Sequence, residues 1–261
     1  MIHVKSLSFY ILFSLSIVMV YSCEKPDKLK EHTELNQTGV MGIVKFDGRL
    51  PDNKVIAINK NTNICGKEYK ENKYSISNSR IKNVVVWVEG IKTKKANNKI
   101  PVKLSIKNCQ VLPRVNVGFV GGSYQIRNED AILHTVQLKL GLEYHKKVSK
   151  RPLNEGSTIY NFAMPKKGME VKRPIRMFHR YQKDTGNIKI TSNTHSSING
   201  WIFIFDHPYA AITNELGEFE IKGVPQGDYI IKAWHEGFGI KEKKINVKSN
   251  KGLSIDFIFN K

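Results

Sequence analysis

The stretch Gly200 to Gly239 (GWIFIFDHPYAAITNELGEFEIKGVPQGDYIIKAWHEGFG) constrains this chain more than any other. Trp201-Ile202-Phe203-Ile204-Phe205 is an unbroken run of aromatic and β-branched residues. A run so short and so apolar suits a strand covered on both faces. His207-Pro208 ends it, because proline has no N–H to offer and holds the preceding residue extended. Thr213 to Gly217 has turn chemistry, after which Phe219 and Ile221 alternate with Glu218, Glu220 and Lys222. Val224-Pro225-Gln226-Gly227 places proline second and glycine fourth, as a type I turn prefers, and Tyr229 to Trp234 forms the next strand.

The rest of the chain reads the same way. Strands are predicted at Gly42–Phe46, Lys54–Asn59, Asn83–Glu89, Val102–Ile106, Tyr124–Asn128 and Thr135–Leu140. Asn187–Thr191 resumes the pattern and runs on through Asn193-Thr194-His195. Ile245 and Val247 alternate with lysines, and Leu253, Ile255, Phe257 and Phe259 make a closing strand. Gly141 to Gly186, with Pro152, Pro165, Pro174 and many basic residues, is the least regular region and reads as a long functional loop. No long amphipathic helix is visible. Many short strands separated by Gly, Pro and Asn turns mean an all-β sandwich class.

Charge and cysteines bear on location. Lys and Arg number 42 against 23 acids, a formal charge of +19 in 261 residues, spread singly along the chain. Such a surface is either simply solvated or suited to anionic envelope polymers. Nucleic acid is not expected, since there is no basic helix, no aromatic-glycine RNA motif and no zinc-finger spacing. Lys5 followed by the apolar Phe9–Tyr21 reads as a signal peptide over residues 1–22, too short for a comfortable membrane span. Val20-Tyr21-Ser22-Cys23 resembles the bacterial lipobox, which implies lipidation of Cys23. The polar segment 23–39 would then be a tether. The count of three cysteines agrees: with Cys23 lipidated, Cys65 and Cys109 are left to pair in an oxidising compartment, the alternative being two buried thiols. Paired, they would close a loop worth about 4 kcal/mol in the chain-entropy model.

Two family resemblances follow from particular residues. Ile212 to Ile221 with Val224 to Tyr229, and Gly42 to Gly48 at the other end, look like the carboxypeptidase regulatory-like domain, a small transthyretin-like sandwich. The middle of the chain looks like a cupredoxin sandwich. The combined order is similar to secreted proteins called methylamine utilisation proteins. The matching residues are Cys65-Gly66, Asn83 to Trp87, Cys109 with Pro113, Asn128-Glu129-Asp130 with His134, Asn161-Phe162-Ala163, Asp206 to Tyr209 and Ala233 to Glu236. The resemblance implies a cupredoxin-like sandwich over 93–206 and a regulatory-like sandwich over 40–92 and 207–261.

It also implies where copper would sit. In that family a histidine follows the Asn-x-Asp motif, here His134, and a Cys-x-x-His-x-x-Met motif precedes Asp-His-Pro. Here that motif reads Ser192-Asn193-Thr194-His195-Ser196-Ser197-Ile198. Serine replaces the thiolate and isoleucine the thioether, so a blue copper centre is not expected. Cys65 and Cys109 do not substitute if they are bridged.

His134 and His195 could still hold Cu(II) or Zn(II) with a third ligand from His145, His179, Met164, Met169 or Met177; the bland alternative is a pair of metal-free core histidines. His207, His235 and Glu236 are read as packing or supporting residues. His235–Glu236 is a poor acid–base pair because strand neighbours face opposite ways. No catalytic motif is present. The expectation is a non-catalytic envelope lipoprotein with a binding or scaffolding role, attached to a bacterial membrane and partnered by envelope polymers or another envelope protein. The alternatives are a copper-binding or electron-transfer protein using His134 and His195, and a carbohydrate-binding module using Trp87, Trp201 or Trp234.

Overall fold

Alternate side chains of the strand Gly200–Phe205 enter two different cores. Ile202 and Ile204 point into one, while Phe203 and Phe205 point into another. The computed structural model describes residues 39–91, 99–141, 156–175, 185–248 and 251–260. Cys23, the signal segment and most of the tether lie outside the described residues, as do His145, His179 and Met177. Among the described residues the chain is almost wholly β, with one short helix, Thr62–Cys65. None of their helices is long and apolar enough to cross a membrane.

One sandwich is built from residues 102–205. Its five-stranded sheet runs in the order Thr158–Met164, His134–Leu140, Thr185–Thr191, Gly200–Phe205, Val115–Phe119, with the last pair parallel. Facing it is the sheet Glu170–Pro174, Ser123–Asn128, Val102–Lys107, Gln110–Leu112, whose middle pair is also parallel. Leu104, Ile126, Leu138, Ile190 and Ile202 fill the space between. Met164 is buried in this core, directly across the ladder from His134, and Met169 stands on the surface.

The other sandwich draws on both ends of the described chain. Gly39–Asp47 pairs antiparallel with Glu218–Lys222 and parallel with Leu253–Ser254 and Phe257–Asn260. The opposite sheet is Ala210–Ile212, Val85–Glu89, Gly227–His235, Gly239–Val247. Val44, Val86, Val88, Ile231 and Phe257 meet between them.

Three expectations need correction. The closing strand is broken at Ile255-Asp256, where the Asp256 carboxylate accepts the Ile43 N–H at 2.9 Å in place of a ladder carbonyl. Gly42 permits the close approach, since a Cβ there would lie 1.8 Å from the Ile255 carbonyl oxygen. The region Gly141–Gly186 contains two strands, Thr158–Met164 and Glu170–Pro174. Few of their positions are buried, Phe162 and Met164 in the first and Val171 in the second, so the alternation is weak in the sequence, and the second ends in a proline that an edge strand tolerates. Residues 192–199, expected to extend a strand, form a loop instead.

Between the sandwiches lies an aromatic seam. Val85 and Trp87, on the reverse side of a strand whose other face fills the second core, meet Phe203, Phe205 and Trp234. Phe203 and Trp234 have ring centroids 4.6 Å apart. The tryptophans are therefore occupied: Trp87 and Trp234 are buried, and half-buried Trp201 donates its indole N–H to Glu236 at 3.1 Å. They do not form the open stacking platform that a carbohydrate-binding face requires.

A buried charge closes the edge of this seam. Arg114, from the turn after Gln110–Leu112, donates to both Glu236 oxygens at 2.6 and 3.0 Å, to the Tyr69 hydroxyl at 2.9 Å and to Glu71 at 3.3 Å. Burial alone would lower the Arg114 pKa, but Glu236, with Tyr69 and Glu71 adding to it, makes the net direction upward. Burial pushes the Tyr69 hydroxyl up as well. A charge removed from water is tolerated only when its partner is present. Arg114→Ala is therefore expected to cost about 3–5 kcal/mol in denaturant melts. Adding Glu236→Gln to the same chain should restore part of that loss.

Candidate metal centre

Asn128, fully buried, sets the first half of the site. Its side chain accepts the Asp130 N–H at 2.9 Å and donates to the Ile132 and Met164 carbonyls at 2.9 and 2.8 Å. This local bonding competes with continued strand and turns the chain sharply. The turn delivers the Asp130 carboxylate inward and starts the next strand at His134, whose ring is wholly buried.

Asp130 then does three things at once. It accepts the N–H groups of Asn108 and Cys109 at 2.8 and 2.9 Å, and it lies 2.9 Å from His134 Nε2. Asn108 and Cys109 are the two turn residues of the hairpin Val102–Lys107/Gln110–Leu112, with φ of 51° and 60°. Positive φ at both positions is the type I′ arrangement, which normally favours glycine second. Cysteine stands there instead, in a left-handed conformation that the carboxylate and the Cys65–Cys109 disulfide hold. The bridge spans 44 residues with Cα atoms 5.1 Å apart.

His195 arrives on the loop after Thr185–Thr191. Ser192 Oγ accepts the Thr194 and His195 N–H groups, and Ser197 donates to the Cys109 carbonyl at 2.6 Å. Asn61 opens the Thr62–Cys65 helix but does not cap it, because its amide lies 3.0 Å from His195 Nε2. Burial lowers the His195 pKa; the neighbouring His134 and Lys60 add to this, and Asp130 opposes it.

Two imidazoles thus face each other through Nδ1 at 3.2 Å, with planes at 70°. Each ring is held from behind at Nε2, one by a carboxylate and one by an amide. With the Asn61 N–H₂ toward His195, that ring carries its proton on Nδ1 and donates to His134 Nδ1, whose own proton is on Nε2 facing Asp130. A half-turn of the Asn61 amide would free both Nδ1 lone pairs. Two nitrogens on one tetrahedral metal lie about 3.3 Å apart.

The sequence treats the disulfide and the histidine pair as separate features. The structure joins them: Cys109 sulfur lies within 4.8 Å of a donor nitrogen of His195 and, with Asp130, of one of His134. Ser192, at the position the resemblance gives to a thiolate, hydrogen-bonds to Thr135 and Thr194 at 3.0 Å each, while Ile198 is packed in the core. The Asn108-Cys109 turn was the legible clue, because a two-residue connection between alternating strands fixes where Cys109 must point. A cavity of about 220 Å³ lined by Ala57–Lys60 and Thr194–Ser197 opens onto His195. The larger concavity of about 690 Å³ beside Gly42 and Asp256 contains neither histidine nor cysteine.

The other expected site residues lie in the seam and the second core. His207 stacks between Phe205 and Tyr209. Glu236 is the partner of Arg114. His235 is buried against Phe238 at 4.6 Å and accepts the Gly237 N–H through Nδ1.

No family model and no curated protein matches the chain. Among solved structures, a Cu-containing nitrite reductase from Thermus scotoductus SA-01 is similar at 16% identity and TM-score 0.27, covering 41% of this chain and 23% of that one. A reduced Cu(I) form of an amicyanin variant is similar at 13% identity and TM-score 0.27, covering 46% of this chain and 97% of that one. Scores at this level carry no argument, and the site's own geometry must stand alone.

Burial, then the Lys73 and Arg114 charges, push the His235 imidazole down to about 4, against 6.5 for a free ring. Between those values the unfolded chain takes up a proton that the folded chain refuses. The contribution is complete above about pH 6.5 and falls as pH drops toward 4, by about 3 kcal/mol. Urea melts at several pH values should show His235→Asn, which keeps the acceptor, losing about that much pH dependence.

Proposed function

We propose that this chain is a non-catalytic, membrane-anchored envelope protein that binds copper through His134 and His195. The observation that carries the reading is the approach of the two Nδ1 atoms to 3.2 Å, with each ring steered from its other nitrogen. Outer partners that fix the tautomer and direction of an imidazole are the usual support for a metal ligand. The residues fit Cu(II) or Zn(II) bound by imidazole, with oxygen donors nearby in Thr194, 3.1 Å from His195 Nδ1, and Asp130. They do not fit a blue copper centre with a thiolate ligand, because both cysteines at hand are bridged. Bound copper would add a redox-active, Lewis-acidic centre. The chain's own residues bind and orient it, and the cavity beside His195 limits access to small species.

The resemblance to methylamine utilisation proteins, the lipid on Cys23, export to the envelope and attachment to a bacterial membrane belong to this same proposal. They are supported by the basic start, the apolar segment and the lipobox-like Val20 to Cys23. The charge of +19 supports attraction to anionic envelope polymers or an acidic envelope protein.

Two measurements decide it. Air-oxidised protein titrated with Cu(II) should bind one equivalent without an intense blue thiolate band. His134→Ala and His195→Ala should each weaken binding by at least about tenfold. Unchanged affinity in both variants, or a blue band, overturns the reading. Separately, palmitate labelling in cells should disappear in Cys23→Ser, and persistent labelling or soluble export of the unaltered chain would refute the anchor.

A further inference from the structure

We infer that the Cys65–Cys109 disulfide is a redox gate on the metal site: reduced, its two thiols join His134 and His195 as a Cys₂His₂ donor set for Cu(I) or Zn(II). This rests on the histidine pair being a metal site, and adds the ligands and the regulation.

The four side chains come from four separate segments of the chain. Cys65 ends the short helix, Cys109 occupies a tight hairpin turn, and the histidines sit at a strand start and in the following loop. Cys109 is completely buried and Cys65 nearly so, and both sulfurs fall with a His195 nitrogen inside a 4.8 Å cluster. A second cluster of the same radius joins Cys109 to His134 and Asp130. Cys109 is therefore shared between the two rings. A bridge serving only as a staple would need no such company, and buried disulfides usually pack against apolar side chains. The backbone here is also held without the bridge. Asp130 takes both turn N–H groups, Ser197 takes the Cys109 carbonyl, and Asn61 reaches His195. Cutting the S–S bond leaves those ties in place, so the sulfurs separate without the loops dispersing.

The chemistry balances with an external dithiol as reductant. Its thiolate attacks one sulfur of the bridge, the S–S bond breaks through a mixed disulfide, and the second thiol closes the reductant's own ring. Two electrons pass to the protein, which gains two thiols. Each thiol gives up its proton when it binds a metal ion. Two thiolates with two imidazoles are the donors of closed Zn(II) sites, and thiolate selects Cu(I) over Cu(II). The oxidised state offers only nitrogen and oxygen, so the same pocket would exchange metals as its bridge opens and closes. The cavity at His195 is the entry on the described surface.

The test uses the full chain carrying Cys23→Ser, so that only two cysteines remain. One portion is reduced with dithiothreitol and desalted without air, and another is left oxidised. Both are titrated with Co(II) and with Cu(I). The reduced protein should bind one equivalent of Co(II) with a thiolate-to-cobalt charge-transfer band, and the oxidised protein should show no such band. Affinity in the reduced state should fall at least tenfold in His195→Ala, and the band should vanish in Cys109→Ser. Alkylating the thiols of the reduced protein before titration gives the same test without a variant that must fold. A reduced protein that loses its near-ultraviolet circular dichroism, or binds no Co(II), overturns the inference. So does a band whose strength and affinity survive in both His134→Ala and His195→Ala, since the thiols would then act alone. Oxidised protein that binds Cu(II) beside reduced protein with no thiolate band sinks the gate and spares the histidine site. Failure of both titrations sinks both.

Discussion

Two strands covered on both faces hold this protein together. Val85–Glu89 sends Val86 and Val88 into one sandwich and Val85 and Trp87 into the seam; Gly200–Phe205 does the same from the other side with Ile202, Ile204, Phe203 and Phe205. Because side chains alternate, neither strand can slip by one residue without exchanging its two cores. Fully burying each aromatic side chain at the seam contributes roughly 1.5–3 kcal/mol. The register of both sheets is thus coupled through one patch of rings. Everything else is arranged at the margins of that patch, including Arg114 and its carboxylates, which satisfy the polar atoms where the seam meets water.

The candidate metal centre depends on that coupling at one remove. Cys65 belongs to the stretch between strands of the second sandwich, whereas Cys109, His134 and His195 belong to the first. The seam, the Cys65–Cys109 bridge and the Arg114 bonds to Tyr69 and Glu71 together keep Asn61 and Cys65 opposite His195. Asp130 supplies the local rigidity. A single buried carboxylate that accepts two backbone N–H groups and faces an imidazole is a concentrated use of charge, and it is worth more in a dry environment than at the surface.

Much of this was legible in the sequence, for identifiable reasons. The apolar run Trp201–Phe205 could only be a two-faced strand, and Phe219 and Ile221 could only alternate into a core. The odd cysteine count left Cys65 and Cys109 able to pair if Cys23 is lipidated, and the structure bridges them. What stayed hidden was non-local. Nothing in Asp130's neighbours says that it turns toward Asn108 and Cys109, because that contact is set by the parallel pairing of Val102–Lys107 with Ser123–Asn128. Nothing near Glu236 announces Arg114, 122 residues away. The strands Thr158–Met164 and Glu170–Pro174 were obscured because only Phe162 and Met164 in the one and Val171 in the other are buried, too few positions to show a period.

Ser192 and Ile198, where the resemblance would place a thiolate and a thioether, read from the sequence as an eroded metal site. The geometry argues otherwise. Ser192 is not an idle remnant, since its hydroxyl organises the His195 loop by accepting two N–H groups and meeting Thr135 and Thr194. An eroded site would also be free to lose the groups that orient its ligands. Here both imidazoles have a partner at Nε2, Asp130 for His134 and Asn61 for His195. Sulfur is absent at position 192 and present at Cys109, within 4.8 Å of a nitrogen of each ring.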